Sequence, residues 1–293
     1  MPAPTKIVCL CPTYCRPWHV SSSVGQWLQQ THPAEERWLL IGDDVDALGG
    51  LSTARLRDAI KGQGFSAEVA GRVWHHKFNS AFTLPHKYNA MAQNALTFVC
   101  PDTDLLVVWE DDDTYLPGHL AQIARAWNLR NRPATWWGHP ERVWSDYTLT
   151  LQDEPAAGRF HAALALSVDL WHQSPWVETA DGNFDQQFLQ QLARQTPRSR
   201  YDLSTGRNTW WSTPSYVFRW HTQTPHGQAF MPEHGRNWQS AAKQALRAEF
   251  AARMGAWDCT ALVDGLSAKH IANATELGKH PVSRPIPVTP GPQ

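Results

Sequence analysis

Long apolar runs are missing from this chain of 293 residues. Nowhere do hydrophobic side chains continue for the roughly 20 positions that a membrane-crossing helix takes. The first apolar run, Ile7-Val8-Cys9-Leu10, is too short for the core of a secretion signal, so the expectation is a soluble, cytoplasmic chain. An excess of either charge is missing too, with 26 basic against 27 acidic side chains and a net charge of −1. That balance excludes a protein that grips nucleic acid by bulk charge, though it leaves a local basic groove open. A disulfide framework is equally unexpected. The five cysteines are odd in number, and Cys9, Cys11 and Cys15 crowd together, a pattern of reduced thiols. No internal repeat is visible.

What the chain does have is material for a core. Hydrophobic residues make up 42% of it, enough to exclude wholesale disorder in one large domain or two small ones. Sixteen tryptophans are an unusual load. Most are expected in the core and between packed elements, because a ring of that size gains most where it is covered.

The first half alternates strands and helices. Lys6 to Leu10 reads as a buried strand ending at Pro12, and Ser21-Ser22-Ser23 as the cap of a helix carrying Val24, Trp27 and Leu28. Arg37 to Ile41 is a second strand, stopped by Gly42-Asp43-Asp44. Ser52 to Ile60 is a helix, Val69 to Phe78 a weaker strand, and His86 to Phe98 a helix with Tyr88, Met91, Ala92 and Ala95 on one side. Asp104 to Trp109 is the clearest buried strand, and Pro117 to Leu129 the next helix. Such alternation predicts an α/β fold with a mostly parallel sheet flanked by helices, whose site lies beyond the carboxyl ends of the strands. Further on, Phe160 to Leu170 reads as a strand leading into a turn and Trp210 to Trp220 as a strand, with helices over Phe184 to Arg194 and Gln239 to Met254.

Glu110-Asp111-Asp112-Asp113 follows the clearest strand directly. Four neighbouring carboxylates repel one another unless a cation or water relieves them. After a buried strand, the pattern points to a hard divalent ion, Mn2+ or Mg2+, bound through one or two carboxylates and a substrate's phosphates. A solvated acidic turn is the plainer alternative.

Taken in order, Pro12-Thr13-Tyr14-Cys15-Arg16-Pro17, Asp43-Asp44, Asn89 and Trp109-Glu110-Asp111-Asp112-Asp113-Thr114-Tyr115-Leu116-Pro117 resemble the family 2 glycosyltransferases with the GT-A fold. The resemblance covers about the first 120 residues. It implies transfer of a sugar from a nucleotide-diphosphate donor, a UDP-sugar foremost, to an acceptor hydroxyl. It also implies that Pro12, Thr13, Tyr14, Arg16, Asp43, Asp44, Asn89 and Asp111 line the donor site. Asp112 and Asp113 would hold the metal, with Asp112 nearest. Alignment on Leu116-Pro117 makes Glu110 and Asp112 the metal pair, whereas a literal D-x-D reading gives Asp111 and Asp113. Cys15 stands where the family usually has Asn, and Val45-Asp46 where it has Gly-Ser.

Beyond residue 120 the resemblance thins. His161 to Leu166 resembles the family's acceptor-side strand. Asp185 resembles the base of its inverting members, with Asp181 as a fallback, and His221 its late metal- or diphosphate-binding histidine. By position alone, Asp185 at a helix start is either a cap or a base. Cys9, Cys11, Cys15 and His19 match no common zinc spacing and read as buried thiols. A nucleotidyltransferase would need a glycine-rich basic loop after the first strand, and Cys11 to Pro17 has no glycine and one arginine. A non-catalytic glycan-binding relative is the other rival, argued against by the intact acidic run. The acceptor is open: a glycan, another hydroxyl-bearing molecule or a modified nucleic-acid base, with Trp136-Trp137, Trp144 and Trp210-Trp211 as candidates to shape its pocket. The expected organisation is a transferase domain over 1–235, a helical extension over 236–280 and a proline-rich flexible tail over 281–293.

Overall fold

The computed structural model describes residues 4–13, 17–43, 51–79, 83–145, 152–156, 159–178, 183–200 and 215–218. The expected donor-site residues Tyr14, Arg16 and Asp44, the expected metal ligand His221, the fallback base Asp181, and everything assigned to 236–293 lie outside them.

Strand β1 (Ile7–Thr13) is buried at every position and forms the middle of the fold. It pairs in parallel with β2 (Arg37–Asp43) on one side and with β4 (Leu105–Val108) on the other, and β2 pairs in parallel with β3 (Val73–Lys77). A strand covered on both faces needs apolar side chains pointing both ways, which is why β1, β2 and β4 are built around apolar runs, whereas the edge strand β3 is only partly buried. β9 (Ala165–Ser167) adds antiparallel to β4, β6 (Trp137–His139) antiparallel to β9, and β10 (Ser199–Arg200) parallel to β6. The seven-stranded sheet therefore runs β10-β6-β9-β4-β1-β2-β3. A second sheet of four strands runs β5-β11-β7-β8, built from β5 (Thr114–Tyr115), β7 (Arg142–Ser145), β8 (Gln152–Pro155) and β11 (Tyr216–Phe218).

Helices α1 (Pro17–Leu28), α2 (Thr53–Gly62), α3 (Ala67–Gly71), α4 (Leu84–Asn94), α5 (His119–Leu129), α6 (Val168–Gln173) and α7 (Phe184–Gln195) accompany the sheet. Three expectations are corrected. The first helix starts at Pro17 rather than after Ser21-Ser22-Ser23, because proline suits a first turn whose amide has no helical partner anyway. Val69 to Phe78 divides into the end of α3 and then β3. The Ser66 side chain accepts from Val69 N at 3.2 Å and starts that short helix. Phe160 to Leu170 is not a strand leading into a turn but a 3-10 turn (His161–Ala163) followed by the short β9 and the start of α6.

Tryptophan behaves as expected of core. Trp27, Trp38, Trp109, Trp127, Trp136, Trp137, Trp171 and Trp176 are all buried. Burial takes Trp136 and Trp137 out of the expected acceptor pocket, and the Trp137 indole N–H is spent on the Thr196 carbonyl at 2.9 Å. Cys9, Cys11 and Cys100 are buried and form no disulfide. Among the described residues, no helix is long and apolar enough to cross a membrane.

Candidate active site

The parallel strands deliver their carboxyl ends to one edge of the sheet. Thr13 and Asp43 are register partners at the ends of β1 and β2, with Pro12 opposite Gly42 one step before. β4 ends beside them, and its pairing extends one residue further, where Trp109 N donates to the Leu10 carbonyl at 2.9 Å. The chain then turns through Glu110, Asp111, Asp112 and Asp113 above the strand ends, where α/β sheets place ligands.

Each part of this turn is held. Thr13 Oγ1 donates to Asp111 Oδ2 at 2.6 Å, and Tyr216 OH from β11 donates to Asp113 Oδ2 at 2.6 Å. Tyr88 OH from α4 donates to Glu110 Oε1 at 3.2 Å. Burial first, and then the neighbouring carboxylates, push the Tyr88 and Tyr216 phenols well above their ordinary range, so both remain donors. The Tyr115 phenol, raised in the same way, donates to the Ala162 carbonyl at 2.9 Å and accepts from Glu110 N at 2.7 Å.

Two buried glutamines, Gln26 of α1 and Gln30 just beyond its end, splint the backbone that follows. Gln26 accepts from Tyr115 N at 2.8 Å and donates to the Asp113 carbonyl at 3.2 Å. Gln30 donates to the Leu116 carbonyl at 2.9 Å and accepts from Leu120 N at 3.1 Å. Lys87 of α4, buried, donates from Nζ to the Thr13 carbonyl at 3.0 Å.

Glu110, Asp112 and Asp113 each bring a carboxylate oxygen within 4.8 Å of the others. Asp111 is turned instead toward Thr13. An all-oxygen set of carboxylates is the chemistry of a hard divalent ion such as Mg2+ or Mn2+. Asp112 and Asp113 are only 8% and 3% exposed, and like charges held so close out of water call for a counter-charge. These residues fit a divalent cation.

Asp43 lies 3.8 Å from His75 Nε2, both side chains nearly inaccessible. Asn89 turns away from the strand ends. Its amide accepts from Trp176 N at 2.9 Å and from the Trp171 indole at 3.2 Å, and donates to the Trp176 carbonyl at 2.8 Å. Asp185 sits in the first turn of α7, where the helix dipole favours a carboxylate. Its Oδ1 accepts from Gln186 N at 2.7 Å, and the Gln186 amide is anchored on the Arg159 carbonyl at 2.7 Å. The adjoining Phe184 ring meets His161 edge-on at 5.5 Å, and His161 Nδ1 is 3.5 Å from Glu110 Oε1. The start of α7 is thereby linked to the acidic turn.

Tyr88, Lys87, His161, Trp176, Tyr216, Gln26 and Gln30 were not expected as parts of the site. Tyr88 was legible only as an apolar helix position and Tyr216 only as part of an aromatic strand.

The sheet is parallel across β4-β1-β2-β3 and antiparallel at β9, with helices flanking it and the acidic turn beyond β4. No protein-family profile matches the chain, and no curated protein matches it by sequence. Among solved structures, it is similar to Staphylococcus aureus TarS residues 1–349 in complex with UDP-GlcNAc. The TM-score is 0.54 at 10% identity, over 95% of this chain and 82% of that one. A longer TarS chain aligns with a TM-score of 0.51 at 12% identity, over 85% of this chain and 43% of its own length. A looser match is the mannosyltransferase PcManGT from Pyrobaculum calidifontis in complex with GDP-Man and Mn2+, with a TM-score of 0.46 at 12% identity over 95% of this chain and 88% of that one. The TarS structures are of glycosyltransferases, and at 10–12% identity their likeness establishes the fold.

Proposed function

We propose that this chain is a metal-dependent, inverting glycosyltransferase that moves a sugar from a nucleotide-diphosphate donor, a UDP-sugar foremost, to an acceptor hydroxyl. The observation that carries the reading is the convergence of the Glu110, Asp112 and Asp113 carboxylates beyond the parallel strand ends of a GT-A-type fold. The TarS structure with UDP-GlcNAc supports a nucleotide sugar as the ligand class.

Glu110, Asp112 and Asp113 would hold Mn2+ or Mg2+, with Asp112 central. A bound divalent ion supplies neutralisation of the charge that grows on a diphosphate leaving group. The chain's own residues do the rest. Pro12, Thr13 and Asp43 at the ends of β1 and β2 receive the nucleoside, with Tyr14, Arg16 and Asp44 assigned alongside them. Asp111, held by Thr13, ties that subsite to the acidic turn. Asn89 acts on the same region by fixing the Trp171–Trp176 segment against α4. His221 is assigned to the metal or the diphosphate.

Asp185 is the base. As the acceptor oxygen attacks the anomeric carbon from the far face, its proton passes to the Asp185 carboxylate and the bond from the anomeric carbon to the diphosphate oxygen breaks. The acceptor carries the new glycosidic bond with inverted configuration. Asp185 stands at the amino end of α7, where the helix dipole favours a carboxylate.

Asp185→Asn is expected to lower transfer by about 10²–10⁴-fold with UDP binding retained, the contribution of a positioned base. Asp112→Asn is expected to abolish Mn2+-stimulated transfer and donor hydrolysis while the chain stays folded. Near-normal turnover of either variant would remove that residue from the mechanism.

A further inference from the structure

We infer that His161 is a positioning residue that determines which oxygen Glu110 presents to the cation, and that Trp176 sets the tautomer with which it does so. The inference rests on the reading of Glu110, Asp112 and Asp113 as a cation site.

The Trp176 indole nitrogen is a donor only, and it lies 2.8 Å from His161 Nε2. Nε2 must therefore offer its lone pair, which leaves the ring hydrogen on Nδ1. That Nδ1–H faces Glu110 Oε1 at 3.5 Å and has no hydrogen-bond partner, although the His161 residue is only 4% exposed. A buried donor without a partner, aimed at a carboxylate, is costly unless the contact tightens when the site is filled.

Tyr88 donates to the same oxygen, Oε1, at 3.2 Å. Among the described residues nothing donates to Oε2. Glu110 Oε1 is thus occupied by the Tyr88 hydroxyl and faced by the His161 Nδ1–H, which leaves Oε2 as the oxygen to offer a cation.

The arrangement is fixed by packing rather than by loops. Trp176 stacks on Tyr88 with centroids 5.0 Å apart and on Phe188 of α7 at 4.8 Å. Its backbone N–H and carbonyl are both held by the Asn89 amide, at 2.9 and 2.8 Å. The line Asn89–Trp176–His161–Glu110 therefore transmits position from α4 to the acidic turn. Side chains that orient metal ligands in this way typically matter by about 10- to 100-fold in metal affinity.

Two measurements on the full chain test this. The 15N shifts of the His161 ring report its tautomer in the wild-type protein. The hydrogen is expected on Nδ1, and a ring carrying it on Nε2 would overturn the inference. Mn2+ affinity in the presence of UDP, read from the EPR signal of free Mn2+, then compares His161→Phe with His161→Asn. Both lose the bond to Trp176, but Asn keeps an N–H near the place of Nδ1. His161→Phe is expected to bind Mn2+ about 10- to 100-fold more weakly, with His161→Asn recovering most of the loss. Equal affinities in the two variants would make His161 merely structural and overturn the inference. A wild-type chain that binds no Mn2+ would overturn the cation reading itself, a result distinct from both.

Discussion

Hydroxyl groups hold three of the four carboxylates in the acidic turn: Tyr88 on Glu110, Thr13 on Asp111 and Tyr216 on Asp113. The turn itself was plain in the sequence because it is local, four charges directly after an apolar strand. Its register was not. Leu116-Pro117 pointed to Glu110 with Asp112, and a literal reading to Asp111 with Asp113. The fold gathers Glu110, Asp112 and Asp113 and turns Asp111 to Thr13, a choice made by a hydroxyl 98 positions away in the chain. Tyr216, His161 and Trp176 were illegible as site residues for the same reason, since their roles come from neighbours that only the fold supplies. Thr13→Val keeps the shape of the side chain but removes the buried donor from Asp111. It is expected to cost about 1–3 kcal/mol of stability, measured by urea unfolding, the penalty for leaving a buried acceptor without that bond. An unchanged midpoint would show that the bond contributes nothing.

At the scale of elements, β1, β2 and β4 were readable because each is buried throughout, and a strand covered on both faces has to be a continuous apolar run. α2 was readable from its cap, where Ser52 accepts from Arg55 N at 3.2 Å. The short strands β5, β6, β7, β8 and β10 carry no comparable pattern, whereas β11 falls within the aromatic strand read over Trp210 to Trp220. Arg142-Val143-Trp144-Ser145 and Gln152-Asp153-Glu154-Pro155 become strands by pairing with each other, not through propensity. Apart from β11 the second sheet was invisible to periodicity for that reason, and with it the route by which Tyr216 reaches Asp113. α1 shows the reverse failure. Its apolar face was legible, but buried Gln26, and Gln30 just past its end, which splint the turn after Asp113, look like ordinary polar positions.

The whole molecule buries groups whose ionisation it cannot tolerate, which links its stability to pH. His119 on α5 is fully buried, and burial pushes its ring down to about 3. His139 on β6 is pushed down to about 4, chiefly by burial, with Nε2–H donated to the Phe160 carbonyl at 2.7 Å. Unfolded histidine titrates near 6.5. As pH falls below that value the unfolded chain takes up protons that the folded chain refuses, so stability is lost between about pH 6.5 and the folded values. Unfolding free energy from urea melts is expected to be lower at pH 5.5 than at pH 7.5 by about 1.4 kcal/mol for each of the two histidines. A flat profile would show that these rings are accessible to protons in the native state. The same linkage makes the central claim measurable, because a ligand selective for the folded chain raises its unfolding temperature. The decisive measurement is thermal unfolding with a panel of nucleotide-diphosphate sugars, UDP-GlcNAc among them, with and without Mn2+. At a concentration about 100 times its dissociation constant, the true donor with Mn2+ is expected to add about 2.7 kcal/mol and raise the midpoint by about 5 °C, with a much smaller shift when Mn2+ is withheld. A cooperative transition that no nucleotide sugar moves, with or without Mn2+, would contradict a nucleotide-sugar site at the acidic turn.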